Sequence, residues 1–303
     1  MNYKRILKSQ NLRFKILNLL SWVPDKTMVK IQYRIKTGRR LNLKNPQRYT
    51  EKLQRYKLYY RDPIMKQCAD KYEVRKFIEK KGLGKILNEL YGVYDNPDEI
   101  DFEKLPDKFV IKTTSGAGGQ NVFICDDKSR LDKKETKRQL RSWLRANPKK
   151  SFGREWVYES DDNRLIIEKY IESGDFSGLV DYKFFCFNGK VKYMYVIADR
   201  KLGKSAKLAI YDRDFNKLKY YRKDEEKLLK KIEKPKHFNE MIKISERLSS
   251  DFPHVRVDLY NNNGKIIFGE LTFFDGSGYM CFEPDEFDFE LGRSFDIEEK
   301  FND

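Results

Sequence analysis

The chain has 303 residues, 39% of them hydrophobic, which is enough for one large or two medium domains with a real core and excludes a disordered tail. Its 63 lysines and arginines against 47 acids give a formal charge of +16, a surface attractive to polyanions such as nucleic acid, nucleotides, acidic polysaccharide or an anionic bilayer. Two histidines, His237 and His254, leave little material for Ser/His or Cys/His chemistry, so catalysis would rest on metal ions, lysines, arginines and carboxylates.

Residues 1 to about 35 alternate basic and apolar side chains, as one or two amphipathic helices would, with Pro24 ending the first. Such a segment docks against its own domain or lies on an anionic membrane surface, the first being the commoner fate. Tyr49–Tyr60 and then Pro63–Lys81 read as helices, the second closed by Gly82. From Phe109 the pattern becomes strands: 109–112 and 121–124 flank Thr-Thr-Ser-Gly-Ala-Gly-Gly-Gln, residues 131–148 are a charged helix, and 165–171 is a buried strand. Asp181–Phe187 pairs through the turn Asn188-Gly189 with Lys190–Ile197, a turn follows at Asp212–Asn216, and helices are expected over 224–234 and 239–248. The fold class is α+β with mostly antiparallel sheets behind an N-terminal helical segment. The four cysteines, Cys68, Cys125, Cys186 and Cys281, form no C-x-x-C pair and read as small core residues of a reducing compartment. No apolar run of about 18 residues is present and the N-terminus lacks a signal-peptide core, so the expected location is cytoplasmic.

The most informative stretch is Val255-Arg-Val-Asp-Leu-Tyr260, Asn261-Asn-Asn-Gly264 and Ile266–Phe273, two strands joined by a tight turn. A two-residue loop puts Asp258 and Glu270 on opposite faces. A three-residue loop, Asn262-Asn263-Gly264 with a glycine bulge, gathers Val255, Val257, Leu259, Ile267, Gly269, Leu271 and Phe273 on one apolar face and Arg256, Asp258, Glu270 and Thr272 on the other. Separation of apolar from charged side chains favours the second. Two carboxylates and an arginine on one face suit a hard cation with an anionic ligand, or else are cross-strand ion pairs facing solvent.

Ser115-Gly-Ala-Gly-Gly119 offers backbone amides to an anion, with Lys112 as a point charge for phosphate, and leads into a strand rather than a helix; it is a phosphate flap or a plain glycine hairpin. Glu168-Lys169-Tyr170-Ile171 offers strand-edge groups to a purine. Asp181 and Lys183, two apart on one strand, point to one face, as a ribose-binding acid and a phosphate-binding base or as a surface ion pair. Asp212-Arg213-Asp214 matches the D-x-D of glycosyltransferases but sits in a setting that reads better as a turn.

Taken in order, these pieces resemble the ATP-grasp superfamily, and more narrowly the TupA-type ATP-grasp family found with bacterial surface-polysaccharide genes and named for teichuronopeptide synthesis. The resemblance is carried by Leu41-Asn-Leu-Lys-Asn-Pro46, Glu51-Lys-Leu53, Asp70-Lys-Tyr-Glu-Val-Arg75, Phe109-Val-Ile-Lys112, Asp181–Gly189, Val255-Arg-Val-Asp258 and Gly269-Glu-Leu-Thr-Phe273. It implies a basic helical segment over 1–48 and a catalytic region over 49–303, with a nucleotide flap lobe at about 100–165 and a metal-binding lobe at about 166–303. Lys112, Ser115, Gly116, Gly118 and Gly119 would hold the phosphates of ATP, Glu168, Lys169, Tyr170 and Ile171 the adenine, and Asp181 the ribose. Asp258, Glu270 and Thr272 would hold Mg²⁺, with Arg256 and Lys183 as the catalytic cations. Most relatives carry asparagine where Thr272 stands, and a histidine common near the flap is missing. The implied reaction is ATP-dependent amide formation through an acyl phosphate, joining an amine to a hexuronic acid of a glycan or lipid-linked sugar, with peripheral contact to anionic membrane and no nucleic-acid partner. Competing readings are a sugar kinase of the same fold, a glycosyltransferase using Asp212 and Asp214, and a non-enzymatic binder of polyanions.

Overall fold

The computed structural model describes residues 10–116, 121–145, 151–159, 162–172, 179–199 and 206–297. Helix α1 (Gln10–Leu19) ends short of Pro24, where the sequence reading placed its stop; Pro24 instead stands immediately before α2 (Asp25–Thr37) as its N-cap. Both dock on the body of the protein: α2 buries Met28, Val29, Gln32 and Tyr33, and Phe14 of α1 stacks on Phe152 at 4.3 Å.

Helix α3 (Tyr49–Tyr59) is followed by two helices, α4 (Pro63–Ala69) and α5 (Val74–Lys80), where the sequence reading expected one. The interruption has a cause in Asp70, whose Oδ1 accepts the amides of Tyr72 and Glu73 at 2.8 and 2.9 Å and so offers the backbone an alternative to helical bonds. Gly82, at φ 69°, closes α5 as expected.

A four-stranded antiparallel sheet has the order β1 (Leu90–Tyr94), β4 (Leu165–Lys169), β2 (Phe109–Thr113), β3 (Val122–Cys125). Its alternating inner residues, Phe109, Ile111, Leu165 and Ile167, pack with Leu140 of α6 (Lys133–Arg145) into a small core of their own. Strand β4 is shorter than the 165–171 expected: Glu168 and Lys169 already leave the core, and no strand continues through Tyr170 and Ile171.

The main core surrounds a six-stranded sheet of order β11 (Lys265–Thr272), β10 (His254–Asn262), β5 (Asp181–Phe187), β6 (Lys190–Ala198), β7 (Lys207–Asp212), β9 (Glu226–Lys227). All its pairings are antiparallel except β7 with β9. Helix α7 (Phe238–Ser249) lies along β10, β5 and β6, its Phe238 6.2 Å from Phe184. The opposite face of β5 and β10 changes character along its length. At one end Phe185, Phe187 and His254 meet Tyr49 of α3 and Phe295; at the other stand Lys183, Asp181, Arg256 and Asp258. Helix α8 (Glu286–Ser294) crosses the start of α3 so closely that a Cβ on Gly292 would meet the Gln47 carbonyl oxygen at 2.1 Å. Asp288, buried in α8, accepts the amide and hydroxyl of Thr50 at 3.0 and 2.9 Å and fixes that crossing.

Three expectations need correction. The loop between β10 and β11 has two residues, Asn263 and Gly264, both at positive φ, because Asn262 pairs with Lys265. Arg256 nevertheless faces Thr272 and Asp258 faces Glu270, because the extra residue is a bulge at Gly269, between the pairs Asp258–Glu270 and Leu259–Phe268. Beyond that bulge Phe268, not Ile267, shares the face of Leu259. Residues 224–234 are not helical. Leu228 and Ile232 are buried at a helical spacing, but the open edge of β7 takes this segment as β9, and Leu228 N donates to Leu208 O at 2.9 Å. A further two-stranded ribbon pairs β8 (Tyr221–Arg222) with β12 (Phe282–Glu283).

His254 is fully buried, and since a carbonyl only accepts, its Nδ1–H donates to Cys186 O at 2.9 Å while Nε2 accepts from the Tyr49 hydroxyl at 2.9 Å. Burial pushes its pKa from 6.5 down to about 3, so the folded protein holds it neutral. The unfolded chain takes up this proton first as pH falls, so folding stability is lost progressively between pH 6.5 and about 3. Urea unfolding over the upper part of that window should show a wild-type slope steeper than that of His254→Gln by up to about 1.4 kcal/mol per pH unit. Equal slopes would rule out a neutral buried His254.

Candidate active site

The break between α4 and α5 places Lys71 against the glycine loop. Its amide donates to Thr114 O at 2.9 Å and its Nζ to Gly116 O at 2.8 Å. Thr114 N in turn donates to Arg164 O at 2.8 Å, and Ser115 N to Asn163 Oδ1 at 3.2 Å. The loop therefore leaves β2 from a bonded base, turns at Gly116 with φ 108°, and returns as β3. Gly118 and Gly119 lie outside the described residues. Lys112, on the outer face of β2, pairs with Glu168 of β4 at 3.0 Å, and Arg75 reaches the same carboxylate at 3.4 Å. Lys169 pairs with Glu89 at 3.0 Å, and the Tyr170 ring has Lys108 Nζ 5.9 Å from its centre; both residues stand at the outer end of β4 beside Ile171.

On the six-stranded sheet, Asp181 and Lys183 are 3.6 Å apart and both buried, so they are not a surface ion pair. Strand register sets Lys183 opposite Asp258 and Asp258 opposite Glu270, and Lys183 Nζ bonds Asp258 Oδ2. Arg256 grips Asp258 with two donors, Nε and Nη2, each at 2.8 Å, and its Nη1 bonds Asp275. Nη2 also reaches Thr272 Oγ1 at 3.1 Å and Glu270 Oε1 at 3.4 Å, and the Thr272 hydroxyl donates to Glu270 at 3.1 Å. Burial alone would raise the Asp258 carboxyl, but Arg256 and Lys183 outweigh it and hold the group below the usual carboxylate range. For Arg256 burial works toward neutrality, and Asp258 with Asp275 more than reverses it, so the guanidinium stays charged. Lys71 is drawn below the ordinary lysine range by burial, partly opposed by Glu270 and reinforced by Lys112. The interaction with Glu270 brings the loop side and the sheet side into one electrostatic site.

The donor set fits a hard divalent cation held jointly with a ligand's oxygens. This layer carries Asp181, Asp258, Glu270 and Asp275 against Lys183 and Arg256, while Arg222 divides itself between Asp275 and Asp224, so negative charge is in excess. No three ligands of the His, Cys, Asp or Glu type converge among the described residues. Asp258 and Glu270 would thus supply two oxygen positions, with Thr272 a hydroxyl beside them, as suits Mg²⁺ bound chiefly through phosphates. Glu270, 38% exposed at its side chain, is the accessible member.

Sequence reasoning singled out Lys112, Glu168, Asp181, Lys183, Arg256, Asp258, Glu270 and Thr272, and missed Lys71, Arg75, Arg222 and Asp275. Lys71 and Arg75 could have been found from Asp70-Lys-Tyr-Glu-Val-Arg75, where an acid that bonds amides ahead of it stops a helix. Asp212 and Asp214 stand apart from this site: Asp212 Oδ1 accepts the amides of Asp214 and Asn216 at 3.0 and 2.8 Å, as a turn residue does.

The sequence matches the TupA-like ATPgrasp family over residues 51–296. No curated protein matches it. Similar solved structures include D-alanine–D-alanine ligases from Bacillus anthracis (22% identity, TM-score 0.41, 68% of this chain and 57% of that one) and Helicobacter pylori (16%, 0.42, 76% and 61%). Another is N5-carboxyaminoimidazole synthase from Aspergillus clavatus (11%, 0.39, 68% and 44%). The chain thus covers roughly half of each of these proteins, from 44% to 61%.

Arg256→Met leaves Asp258 and Asp275 as buried carboxylates short of a cation, and should destabilise the fold by about 3–5 kcal/mol in urea unfolding at neutral pH. Arg256→Lys should recover part of that loss. A change below about 1 kcal/mol for the methionine variant would mean that the guanidinium is not the partner these acids require.

Proposed function

The chain belongs to the TupA-like ATP-grasp family, and from that premise we propose that it is an ATP-dependent carboxylate–amine ligase joining an amino acid or other amine to a hexuronic acid in bacterial surface-polysaccharide biosynthesis. The observation that carries the reading is the buried sheet face that gathers Lys183, Arg256, Asp258, Glu270 and Thr272, together with a loop that has Lys71 and Lys112 at its base, Glu270 being near enough to Lys71 to act on its charge. Cations on one side and carboxylates locked to cations on the other suit a Mg²⁺-nucleotide, whose phosphates need both.

In this reading Lys71, Lys112, Ser115 and the amides of Gly116, Gly118 and Gly119 hold the phosphates, Glu168 to Ile171 border the adenine, and Asp181 takes the ribose. Mg²⁺ held by Asp258 and Glu270, with Thr272 beside them, would offset phosphate charge. Arg256 and Lys183, already fixed by buried carboxylates, point positive charge at the transferring group without reorganising. A substrate carboxylate oxygen attacks the γ-phosphorus of ATP, the bond to ADP breaks, and an acyl phosphate forms. The amine then attacks the acyl carbon, phosphate leaves, and the nitrogen gives up a proton. Positioning and charge do this work, in keeping with a chain that has two histidines, one of them, His254, buried and neutral. A hexuronic acid presents the required carboxylate, and a basic chain of charge +16 suits an acidic glycan.

Thermal unfolding with Mg²⁺ and ATP should raise the wild-type midpoint by several degrees, since a ligand at 100 times its Kd adds roughly 2.7 kcal/mol. Glu270→Gln should lose the metal-dependent part of that shift. Release of ADP should then require both a uronic acid and an amine. ADP formed with a stable phosphate ester and no need for amine would make the protein a kinase, and a shift by nucleotide sugars alone would remove the ATP site altogether.

A further inference from the structure

Residues 10–50 precede the family match, which begins at residue 51, and they carry a surface the ligase reading does not use. Eight large apolar side chains are exposed among the described residues, and five of them, Leu12, Leu19, Trp22, Ile31 and Ile35, lie on or directly after α1 and α2. Trp22 and Leu19 are 77% and 76% exposed. A sixth, Tyr59, lies beside this region, with Lys26 Nζ 5.8 Å from its ring centre. Single exposed apolar residues need no explanation, but such a concentration does. Ile31 and Ile35 are one helical turn apart and form a stripe along α2 at the margin of its buried side, which carries Met28, Val29, Gln32 and Tyr33. Leu12, Leu19 and Trp22 recur at the spacing of one side of α1 and its exit.

Charge accompanies this apolar surface. Residues 10–44 hold nine lysines and arginines and a single acid, Asp25, which Arg154 engages at 3.3 Å. Lys30 and Arg34, next in sequence to the two isoleucines, line with Arg40 and Leu41 a cavity of about 510 Å³ whose wall carries no acidic side chain among the described residues. A soluble polyanion would satisfy these cations and leave the tryptophan, leucine and isoleucines in water. A surface with phosphates directly over an apolar interior satisfies both.

We propose that this face docks on an anionic lipid membrane. Lys30, Arg34 and Arg40 hold lipid phosphates at the cavity, and Leu19, Trp22, Ile31 and Ile35 enter the boundary between headgroups and acyl chains. Contact is peripheral, since no helix among the described residues is long and apolar enough to cross a bilayer. The inference is independent of the ligase reading.

The test is co-sedimentation of the full chain with vesicles of phosphatidylcholine alone and of phosphatidylcholine mixed with phosphatidylglycerol. Binding should be at least about tenfold stronger to the mixed vesicles and weaken with salt. Lys30→Gln/Arg34→Gln/Arg40→Gln should cost roughly a hundredfold, and Leu19→Ser/Trp22→Ser roughly tenfold, with circular dichroism and melting midpoint kept near wild type as the check on folding. Equal binding to neutral and anionic vesicles would overturn the proposal. So would binding that the Leu19/Trp22 variant leaves intact, or capture by soluble polygalacturonate without vesicle binding, which would make the face a polyanion patch.

Discussion

The constraint on which the rest depends is the burial of one guanidinium. Arg256 is 93% removed from solvent by its 7% exposure, and a charge so placed survives only if its donors are met. They are met by Asp258 on its own strand, Glu270 and Thr272 on the next, and Asp275 in the turn beyond. One side chain thereby ties β10, β11 and the segment after it together, and Asp258 passes the tie to β5 through Lys183. The bonds that hold this edge of the sheet are the same bonds that set the geometry of the candidate site. Such an arrangement is weak as a source of net stability, because desolvation offsets much of the Coulomb gain, but removing one partner is costly because it leaves an uncompensated buried charge.

That economy depends on a sheet face with two characters. From His254 to Asp258 the side chains of β10 pass from an aromatic cluster with Tyr49, Phe185, Phe187 and Phe295 to a charged layer, with the changeover within one residue pair. The aromatic end gives α3 something to pack against, and α3 in turn holds α8 through Thr50 and Asp288. The charged end carries the candidate site. Fold and site therefore divide a single strand between them, and the low dielectric created by the first strengthens the electrostatics of the second.

The sequence disclosed this in places and concealed it in others, for physical reasons. Alternation in β5, β6, β10 and β11, with asparagine-glycine turns at 188–189 and 263–264, made the strands legible; the separation of apolar from charged residues made the shared face of Asp258 and Glu270 legible, although the extra residue lies at Gly269 and not in the turn where it was expected. The segment at 224–234 misled because Leu228 and Ile232 have helical spacing, while the outcome was decided by an open strand edge elsewhere in the chain. Strands β1 and β7 and helix α8 were not anticipated. The residues of β1 are only half-buried, and α8 carries Phe287 and Phe289 two apart, a spacing that speaks for a strand. Lys71 was visible as a letter in a motif, but its role depends on where Asp70 stops a helix, a matter of hydrogen bonds rather than of pattern.

The bulge at Gly269 implies a counting rule. Near the tip of the β10–β11 hairpin the numbers of facing residues sum to one constant, as Asn262 with Lys265 and Leu259 with Phe268 do; past the bulge the constant is larger by one, as for Asp258 with Glu270 and Arg256 with Thr272. Only that shifted parity puts the arginine and both carboxylates on the same side. Where the surplus residue lies is immaterial to the site: at the turn it would yield the same facing pairs as at Gly269. Hairpins of this kind can therefore move the irregularity up or down the ladder as their tips lengthen or shorten, and what selection must preserve is an odd number of extra residues between Asp258 and Glu270, not any particular loop.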